Sequence, residues 1–262
     1  MRSIAIMNQK GGVGKTTTVV NLSAALAATG LRVCLVDLDP QAHATLHFGL
    51  DPHPDCPSIY DVLAGKVRLA EVRRQVGENL WVVGSSLDLA AAELELAGVV
   101  GREMILRDKL REDPQPFDYL LIDCPPSLGI LTLNALAAAD EVFIPLQPHF
   151  LALHGLGKLL ETLELVAARI NPRLKLSGVV MCMYDANTRL AAEVSHDVDE
   201  FFRNARGREA PWADAAIFQT RIRRNIRLAE APSFGKSIFQ YAPSSHGAED
   251  YRQLADEVRD GS

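Results

Sequence analysis

Cysteine is scarce in this sequence, and the cysteines present are widely separated. The 262 residues contain four, with no C-x-x-C pair: Cys34, Cys56, Cys124 and Cys182. Disulfide frameworks and structural zinc sites need more numerous or more closely spaced cysteines. We therefore expect neither kind of site, and we interpret the four thiols as reduced and mostly buried.

Long apolar runs are also missing. No stretch approaches the roughly 20 uninterrupted apolar residues that cross a bilayer, and the N-terminus enters a strand pattern without the features of a signal peptide. These absences predict a cytoplasmic protein. Basic residues do not predominate either, because the net charge is −6. This charge argues against a wholly basic surface but is compatible with a local basic patch.

Short apolar runs alternate with longer helical patterns along the whole chain. The apolar runs fall at 3–8, 32–37, 80–86, 119–124, 141–146, 176–183 and 215–220. Helical patterns are clearest at 15–29, 102–112, 151–170, 189–205 and 246–259. Apolar runs separated by helices indicate parallel strands covered on both faces. The sequence predicts a doubly wound, mostly parallel β-sheet flanked by helices on both faces, in a single domain over 1–262. Residues 40–75 are typical of a loop with short helices.

A glycine-rich loop with the sequence KGGVGKTT occupies residues 10–17, between the first strand and the first helix. Its glycines allow successive N–H groups to turn toward phosphate oxygens. Lys15 adds a charge at the β- and γ-phosphates, and the Thr16 hydroxyl is the expected Mg²⁺ ligand. The pattern predicts a P-loop that binds ATP through Gly11, Gly12, Val13, Gly14, Lys15, Thr16 and Thr17.

Two carboxylates complete the predicted chemistry. Asp123 ends an apolar strand, as an acid that holds Mg²⁺ beside a P-loop does. Asp37 and Asp39 end the second strand, and Asp39 is a candidate to orient or deprotonate the attacking water and to ligate Mg²⁺. The alternative for each is an aspartate that caps a helix or closes a turn.

A second lysine, Lys10, begins the loop, and the resulting pattern resembles the deviant Walker A motif K-G-G-x-G-K-[ST]. That motif marks the group that contains ParA, MinD and the nitrogenase iron protein. The resemblance implies that Lys10 reaches across a dimer interface to the nucleotide of the partner. It also implies an ATP-dependent homodimer.

The resemblance extends over nearly the whole chain and is strongest to the ParA/Soj partitioning ATPases. The segments that carry it are VDLDPQAHAT, LIDCPPSLG, LTLNAL, IPLQPHFLALHGL, MYDANTRLAAEV and RRNIRLAEAPSFGKSI. An iron protein would need grouped cysteines that ligate a cluster, and a MinD-like chain would end in a basic amphipathic helix. Neither feature is present in this sequence.

Membership of the ParA/Soj branch would imply a weak ATPase that a ParB-like protein stimulates. The ATP-bound dimer would bind double-stranded DNA without sequence preference and segregate chromosome or plasmid DNA. Such a protein would associate with the nucleoid when it holds ATP.

A basic segment, RIRRNIR at 221–227, fits this function. It holds four arginines in seven residues and no acid, and such clusters contact phosphates without reading sequence. The predicted DNA-binding residues are Arg189, Arg221, Arg223, Arg224 and Arg227. The alternative is a run of arginines that are solvated or paired with nearby acids.

The sequence departs from the family pattern at the same segment. Many relatives read I-P-R-N where this chain has Ile222 to Asn225, and their proline lies near the adenine, so the base contacts at Arg223 are left open. His43 and His47 have the spacing of a helical metal pair but lack a third ligand, so we interpret them as ordinary histidines. A second possible function is a nucleotide-gated switch that positions a protein cargo or regulates an assembly.

Overall fold

The computed structural model describes residues 1–53, 56–113, 116–150 and 152–261, and within them it contains one eight-stranded sheet. The strand order is β3-β4-β2-β5-β1-β6-β7-β8. All neighbouring strands pair in parallel except β3 and β4, which are antiparallel. The strands are β1 Arg2–Ile6, β2 Val33–Asp37, β3 Arg73–Gly77, β4 Leu80–Val83, β5 Tyr119–Asp123, β6 Glu141–Leu146, β7 Lys175–Tyr184 and β8 Ala216–Arg223.

Twelve α-helices are found in the described residues, and they include the five predicted from sequence. The prediction at 102–112 corresponds to a 3-10 turn at Arg102–Met104 followed by α6, and residue 151 of the 151–170 prediction lies outside the described residues. The helices are α1 Lys15–Ala28, α2 His43–His47, α3 Ile59–Leu63, α4 Leu69–Val72, α5 Leu89–Glu95, α6 Ile105–Glu112, α7 Ile130–Ala138, α8 Ala152–Arg169, α9 Arg189–Ala205, α10 Ile226–Glu230, α11 Ile238–Tyr241 and α12 His246–Asp260.

The apolar runs of the central strands follow from burial on both faces of the sheet. In β5, Leu120 and Ile122 belong to one buried cluster and Leu121 belongs to the other. Side chains alternate between faces along a strand, so a strand covered on both faces needs apolar residues at every position. The fold is therefore the predicted doubly wound, mostly parallel sheet with a core on each face.

Helices α1 and α12 cover the same face of the sheet and pack against each other. Their contact includes a hydroxyl pair, Thr18 Oγ1 and Tyr251 Oη, 3.1 Å apart and both buried. This packing brings the helix that follows the glycine-rich loop beside a helix more than 200 residues later. The two helices approach each other at the carboxyl ends of β1 and β8.

The carboxyl ends of β1, β2 and β5 lie together, because these strands are neighbours in register. Asp123 is paired in register with Ile6 on one side and with Asp37 on the other. In doubly wound sheets this edge is where ligands bind. The fold therefore brings the three loops that follow these strands to one place.

The cysteines are all free, and three of the four are buried. This arrangement matches the expectation from their spacing. Within the described ranges, no helix combines the length and the apolar character that crossing a membrane requires.

Candidate nucleotide site

The glycine-rich loop joins β1 to α1 and has backbone conformations that favour glycine. Gly12 has φ 72° and Gly14 has φ 97°. A β-carbon on Gly14 would also lie 3.4 Å from Cys182 Sγ. Gly14 precedes the first residue of α1 and caps it without a side-chain hydrogen bond. The free N–H groups of the first turn are thus available to an anion.

The two lysines of the loop differ in environment. Lys15 is 7% exposed, and its Nζ donates to the Lys10 carbonyl oxygen at 3.2 Å. Burial lowers the pKa of Lys15, although the nearby carboxylates of Asp123 and Asp39 act in the opposite direction. Lys10 is exposed, and its Nζ contacts His149 Nε2. Lys15 is therefore fixed inside the site, whereas Lys10 lies at the surface.

Asp123 is completely buried beside the start of α1. Its Oδ2 accepts the Thr16 hydroxyl at 2.8 Å, and its Oδ1 has no hydrogen-bond partner among the described residues. Burial raises the pKa of Asp123 well above its usual value, and the neighbouring carboxylate of Asp37 adds to this effect. A buried, unpartnered carboxylate oxygen next to a hydroxyl is a fitting set of hard ligands for Mg²⁺.

Asp37 lies beside Asp123 but already has its partners. Its Oδ2 accepts the N–H of Thr45 at 2.9 Å and the Thr45 hydroxyl at 2.7 Å, and its Oδ1 accepts the N–H of Asp39 at 3.1 Å. Burial raises the pKa of Asp37 to about 6, while these hydrogen bonds oppose the increase. Asp37 thus holds the loop after β2 in place.

Asp39 lies in that loop, 7% exposed, and its Oδ1 accepts the N–H of Gln41 at 2.9 Å. The Asp39 carbonyl oxygen accepts the N–H of Ala42 at 2.9 Å. Asp39 therefore closes a turn, as the alternative interpretation expected. It also lines the same cavity as the glycine-rich loop, where the predicted catalytic role would place it.

A single cavity of about 730 Å³ joins these residues to the ends of β7 and β8. A volume in the range of roughly 300 to 1,000 Å³ is typical of small-molecule sites. One end is formed by the glycine-rich loop with Asp39 and Pro126. Cys182 and Tyr251 line the cavity beside Gly14 and the start of α1. The lining residues of the other end are Met183, Ile222, Arg223, Arg224, Asn225, Ile226, Leu228 and Ala229.

Several lining residues escaped the sequence analysis, among them Met183 and Tyr251. Met183 adopts φ 51°, which is unusual for a residue with a side chain. Tyr251 reaches the cavity from α12. Neither position carries a signal in the sequence, since Met183 ends an ordinary apolar run and Tyr251 fits the apolar face of an amphipathic helix.

The predicted DNA-binding arginines occupy different environments. Arg223 lines the cavity and pairs with Glu249 and Asp250. Arg221 is partly buried, and burial lowers its pKa. Arg224 is exposed at the cavity. Arg189 and Arg227 are exposed and pair with Glu193 at 2.7 Å and with Glu230 at 2.8 Å. The structure therefore does not gather the five into one exposed patch.

His43 and His47 also differ in environment. His43 is exposed at the cavity, whereas His47 is 1% exposed. Burial lowers the pKa of His47 to about 4. The two rings therefore do not form the metal pair that their spacing suggests.

Comparison with known proteins gives consistent results. A family model described as an AAA domain matches residues 1–176. The chain is 46% identical over 256 residues to the sporulation initiation inhibitor protein Soj of Bacillus subtilis, covering 97% of each chain. It is 43% identical over 258 residues to the chromosome partitioning protein ParA of Myxococcus xanthus, covering 98% of this chain and 87% of that protein.

Solved structures with similar folds include one that holds a nucleotide. A structure from Mycobacterium smegmatis, described as cobyrinic acid a,c-diamide synthase with bound ADP and magnesium, has a TM-score of 0.83 at 37% identity. The match covers 100% of this chain and 97% of that one. The cell division ATPase MinD of Pyrococcus furiosus has a TM-score of 0.79 at 26% identity, with coverage of 100% and 99%.

Proposed function

We propose that this chain, which belongs to the Soj and ParA family of chromosome-partitioning ATPases, is an ATP-dependent dimerising switch that binds DNA without sequence preference. It would drive the segregation of chromosome or plasmid DNA together with a ParB-like protein that stimulates slow hydrolysis. Residues 1–262 would form one ATPase domain. The protein would be cytoplasmic and would associate with the nucleoid when ATP is bound.

One observation carries the nucleotide part of the proposal. Lys15, Thr16 and Asp39 line one end of the cavity at the start of α1, and the Thr16 hydroxyl donates to the buried Asp123 carboxylate there. ATP would place its phosphates there, with Mg²⁺ held by Thr16 and Asp123, and Asp39 nearby. When bound, Mg²⁺ supplies positive charge to the β- and γ-phosphate oxygens.

Different groups of the protein would then have different roles in nucleotide binding and hydrolysis. The N–H groups of the loop and the Lys15 ammonium bind the phosphates and stabilise charge that develops on them. Asp39 orients the attacking water and accepts its proton. Lys10, exposed on the loop, contacts the nucleotide of a second copy across the dimer interface. Hydrolysis would weaken that interface and release the DNA.

DNA binding is proposed for the exposed arginines. Arg189 and Arg227 lie outside the nucleotide cavity and pair with carboxylates of their own helices, three or four residues away. Exposed pairs of this kind contribute little to stability. Phosphate oxygens can therefore replace the carboxylates at little cost.

The test is binding to a random-sequence duplex over a salt series, with ATP, with ADP and without nucleotide. Wild type should bind only with ATP. The Arg189→Ala/Arg227→Ala variant should bind less tightly. The negative slope of log K against log salt should also become shallower by about 2, because each lost phosphate contact removes about 0.9 from its magnitude.

A matched control is available in this chain. Arg68 and Arg111 are also exposed, and each pairs with a carboxylate three residues away, Arg68 from the position just before α4 and Arg111 within α6. The Arg68→Ala/Arg111→Ala variant removes the same charge and should bind DNA like wild type. Equal loss in both variants would show a general charge effect and would remove the assignment of Arg189 and Arg227.

A second candidate function is a nucleotide-gated switch that positions a protein cargo. The observation in its favour is that Arg221 and Arg223, in the first half of the basic segment, make their contacts within the protein. If the protein hydrolyses ATP and dimerises but ignores DNA even at low salt, this second function is supported.

A further inference from the structure

The far end of the nucleotide cavity has mainly apolar walls. Met183, Ile222, Ile226 and Leu228 line it, more than 160 residues along the chain from the glycine-rich loop. If the phosphates of ATP lie on the loop, as the proposed function requires, the base must lie at this far end. The inference that follows rests on that proposed function.

Arg223 is the charged residue of this wall with the most fixed position. Its Nε donates to Asp250 Oδ1 at 2.9 Å, its Nη2 donates to Glu249 Oε2 at 2.7 Å, and its N–H donates to Asp250 Oδ2 at 2.8 Å. Asp250 is 2% exposed. The carboxylates thus hold the guanidinium by one edge, from α12.

This arrangement decides what Arg223 offers to a ligand. The donors on one edge of the guanidinium are committed to Asp250 and Glu249, so that edge cannot recognise the base by hydrogen bonds. The planar faces remain, and guanidinium planes stack on aromatic rings. A plane held at fixed orientation loses little side-chain entropy when a ring stacks on it.

We propose that Arg223 is a specificity-determining residue whose guanidinium face stacks on the base of the bound nucleotide. Asp250 and Glu249 are positioning residues that act through Arg223. Stacking depends on ring area and not on exocyclic groups. Arg223 therefore favours purine over pyrimidine nucleotides and does not separate adenine from guanine.

The test compares ligands with and without a base, in the presence of Mg²⁺, by titration calorimetry. Arg223→Ala should weaken the binding of both ATP and GTP about tenfold, which is the effect expected for loss of one stacking partner. Its affinity for inorganic tripolyphosphate should equal that of wild type. The ratio of ATP to CTP affinity should fall.

Removing Arg223 leaves Asp250 buried without its partner, which can destabilise the fold. The double variant Arg223→Ala/Asp250→Asn removes that charge and should show the same tenfold loss for ATP. Asp250→Asn alone should weaken ATP binding by a smaller factor and leave tripolyphosphate binding unchanged. A merely structural role would change both ligands together.

Arg111→Ala is the control, because Arg111 is an exposed, ion-paired arginine outside the cavity lining. It should bind every ligand like wild type. Unchanged ATP affinity in the double variant would overturn the role of Arg223, and so would an equal loss for tripolyphosphate. If wild type binds neither ATP nor tripolyphosphate, the proposed function itself fails, and this inference fails with it.

Discussion

At the scale of single residues, Asp37 and Asp123 show how two neighbouring buried carboxylates acquire different roles. They are adjacent in register and both fully buried. Asp37 accepts three hydrogen bonds, one from Asp39 in the loop after β2 and two from Thr45 in α2, whereas Asp123 accepts one and keeps a free oxygen. Only Asp123 therefore has capacity left for a metal ion.

Asp39→Ala should separate nucleotide binding from hydrolysis. The variant keeps Lys15, Thr16 and Asp123, so it should bind ATP with near wild-type affinity. It loses the proposed base for the attacking water, so turnover should fall about 10² to 10⁴-fold. Phosphate release and ATP titration measure the two effects. Turnover at the wild-type rate would contradict the role of Asp39, and Asp51→Ala, at an exposed position, serves as the control.

His47 should make the free energy of unfolding depend on pH. Burial lowers its pKa from 6.5 to about 4 in the folded protein. The unfolded chain therefore binds a proton first as the pH falls, and stability is lost between pH 6.5 and about 4. The shift corresponds to a loss of roughly 3 kcal/mol at most.

Urea unfolding of wild type and His47→Leu at pH 7.5, 6 and 5 tests this expectation. The variant should lose less stability than wild type over the series. The exposed His43 provides the comparison, since His43→Leu should follow the wild-type curve. Parallel curves for all three proteins would show that His47 is not the responsible group.

The sequence predicted the phosphate end of the site better than the base end. Lys15 and Thr16 belong to a local motif, and Asp123 ends a strand whose neighbours follow from the sheet type. The Arg223–Asp250 pair joins residues 27 positions apart through the packing of β8 against α12. No local pattern marks such a pair, because it depends on tertiary structure.

At the scale of elements, all seven predicted strands are present, and β3 was missed. Its sequence is RRQVG, in which no residue is fully buried. An edge strand pairs through its backbone and needs no apolar run. Helix α7 was also missed, because its residues are almost all apolar and buried and show no amphipathic period.

Gly235, in the segment after α10, lies against the loop after α2. It has φ 61°, and a β-carbon there would lie 2.8 Å from Gly49 Cα. The atom that such a β-carbon would meet belongs to the backbone, and a backbone atom cannot be moved by a change of rotamer as a side chain can. Gly235→Ala should therefore destabilise the protein by about 3 kcal/mol, which combines left-handed strain with overpacking.

Gly65 is the matched control, since it has φ 74° and open space around its would-be β-carbon. Gly65→Ala should cost about 1 kcal/mol, from backbone strain alone. Thermal unfolding measures both variants. Equal destabilisation would mean that the Gly49 contact contributes nothing.

At the scale of the whole molecule, the cavity is assembled from distant parts of the chain. One end uses residues near the N-terminus and after the ends of β2 and β5, and the other end uses residues between 183 and 229. The family model, which matches residues 1–176, covers only the first group. The second group of lining residues therefore lies outside the part of the chain that the family model describes.

Dimerisation is the property that Lys10 should control. Lys10 is exposed in the single chain, and Lys10→Ala should leave ATP binding intact while preventing the ATP-dependent dimer. Sedimentation velocity with ATP measures the dimer fraction. Lys66→Ala, which removes another exposed lysine, should dimerise like wild type. An unchanged dimer fraction in Lys10→Ala would refute the proposed role.

The position of β1 in the sheet has a consequence for synthesis of the protein. β1 lies between β5 and β6, which begin at Tyr119 and Glu141. At a translation rate of roughly 5 to 20 residues per second, β1 is synthesised on the order of ten seconds before β5, the first strand that pairs with it. The nascent phosphate loop therefore leaves the ribosome without a sheet to support it. Because the cavity lining extends to Tyr251, the complete site exists only when nearly the whole chain has been synthesised.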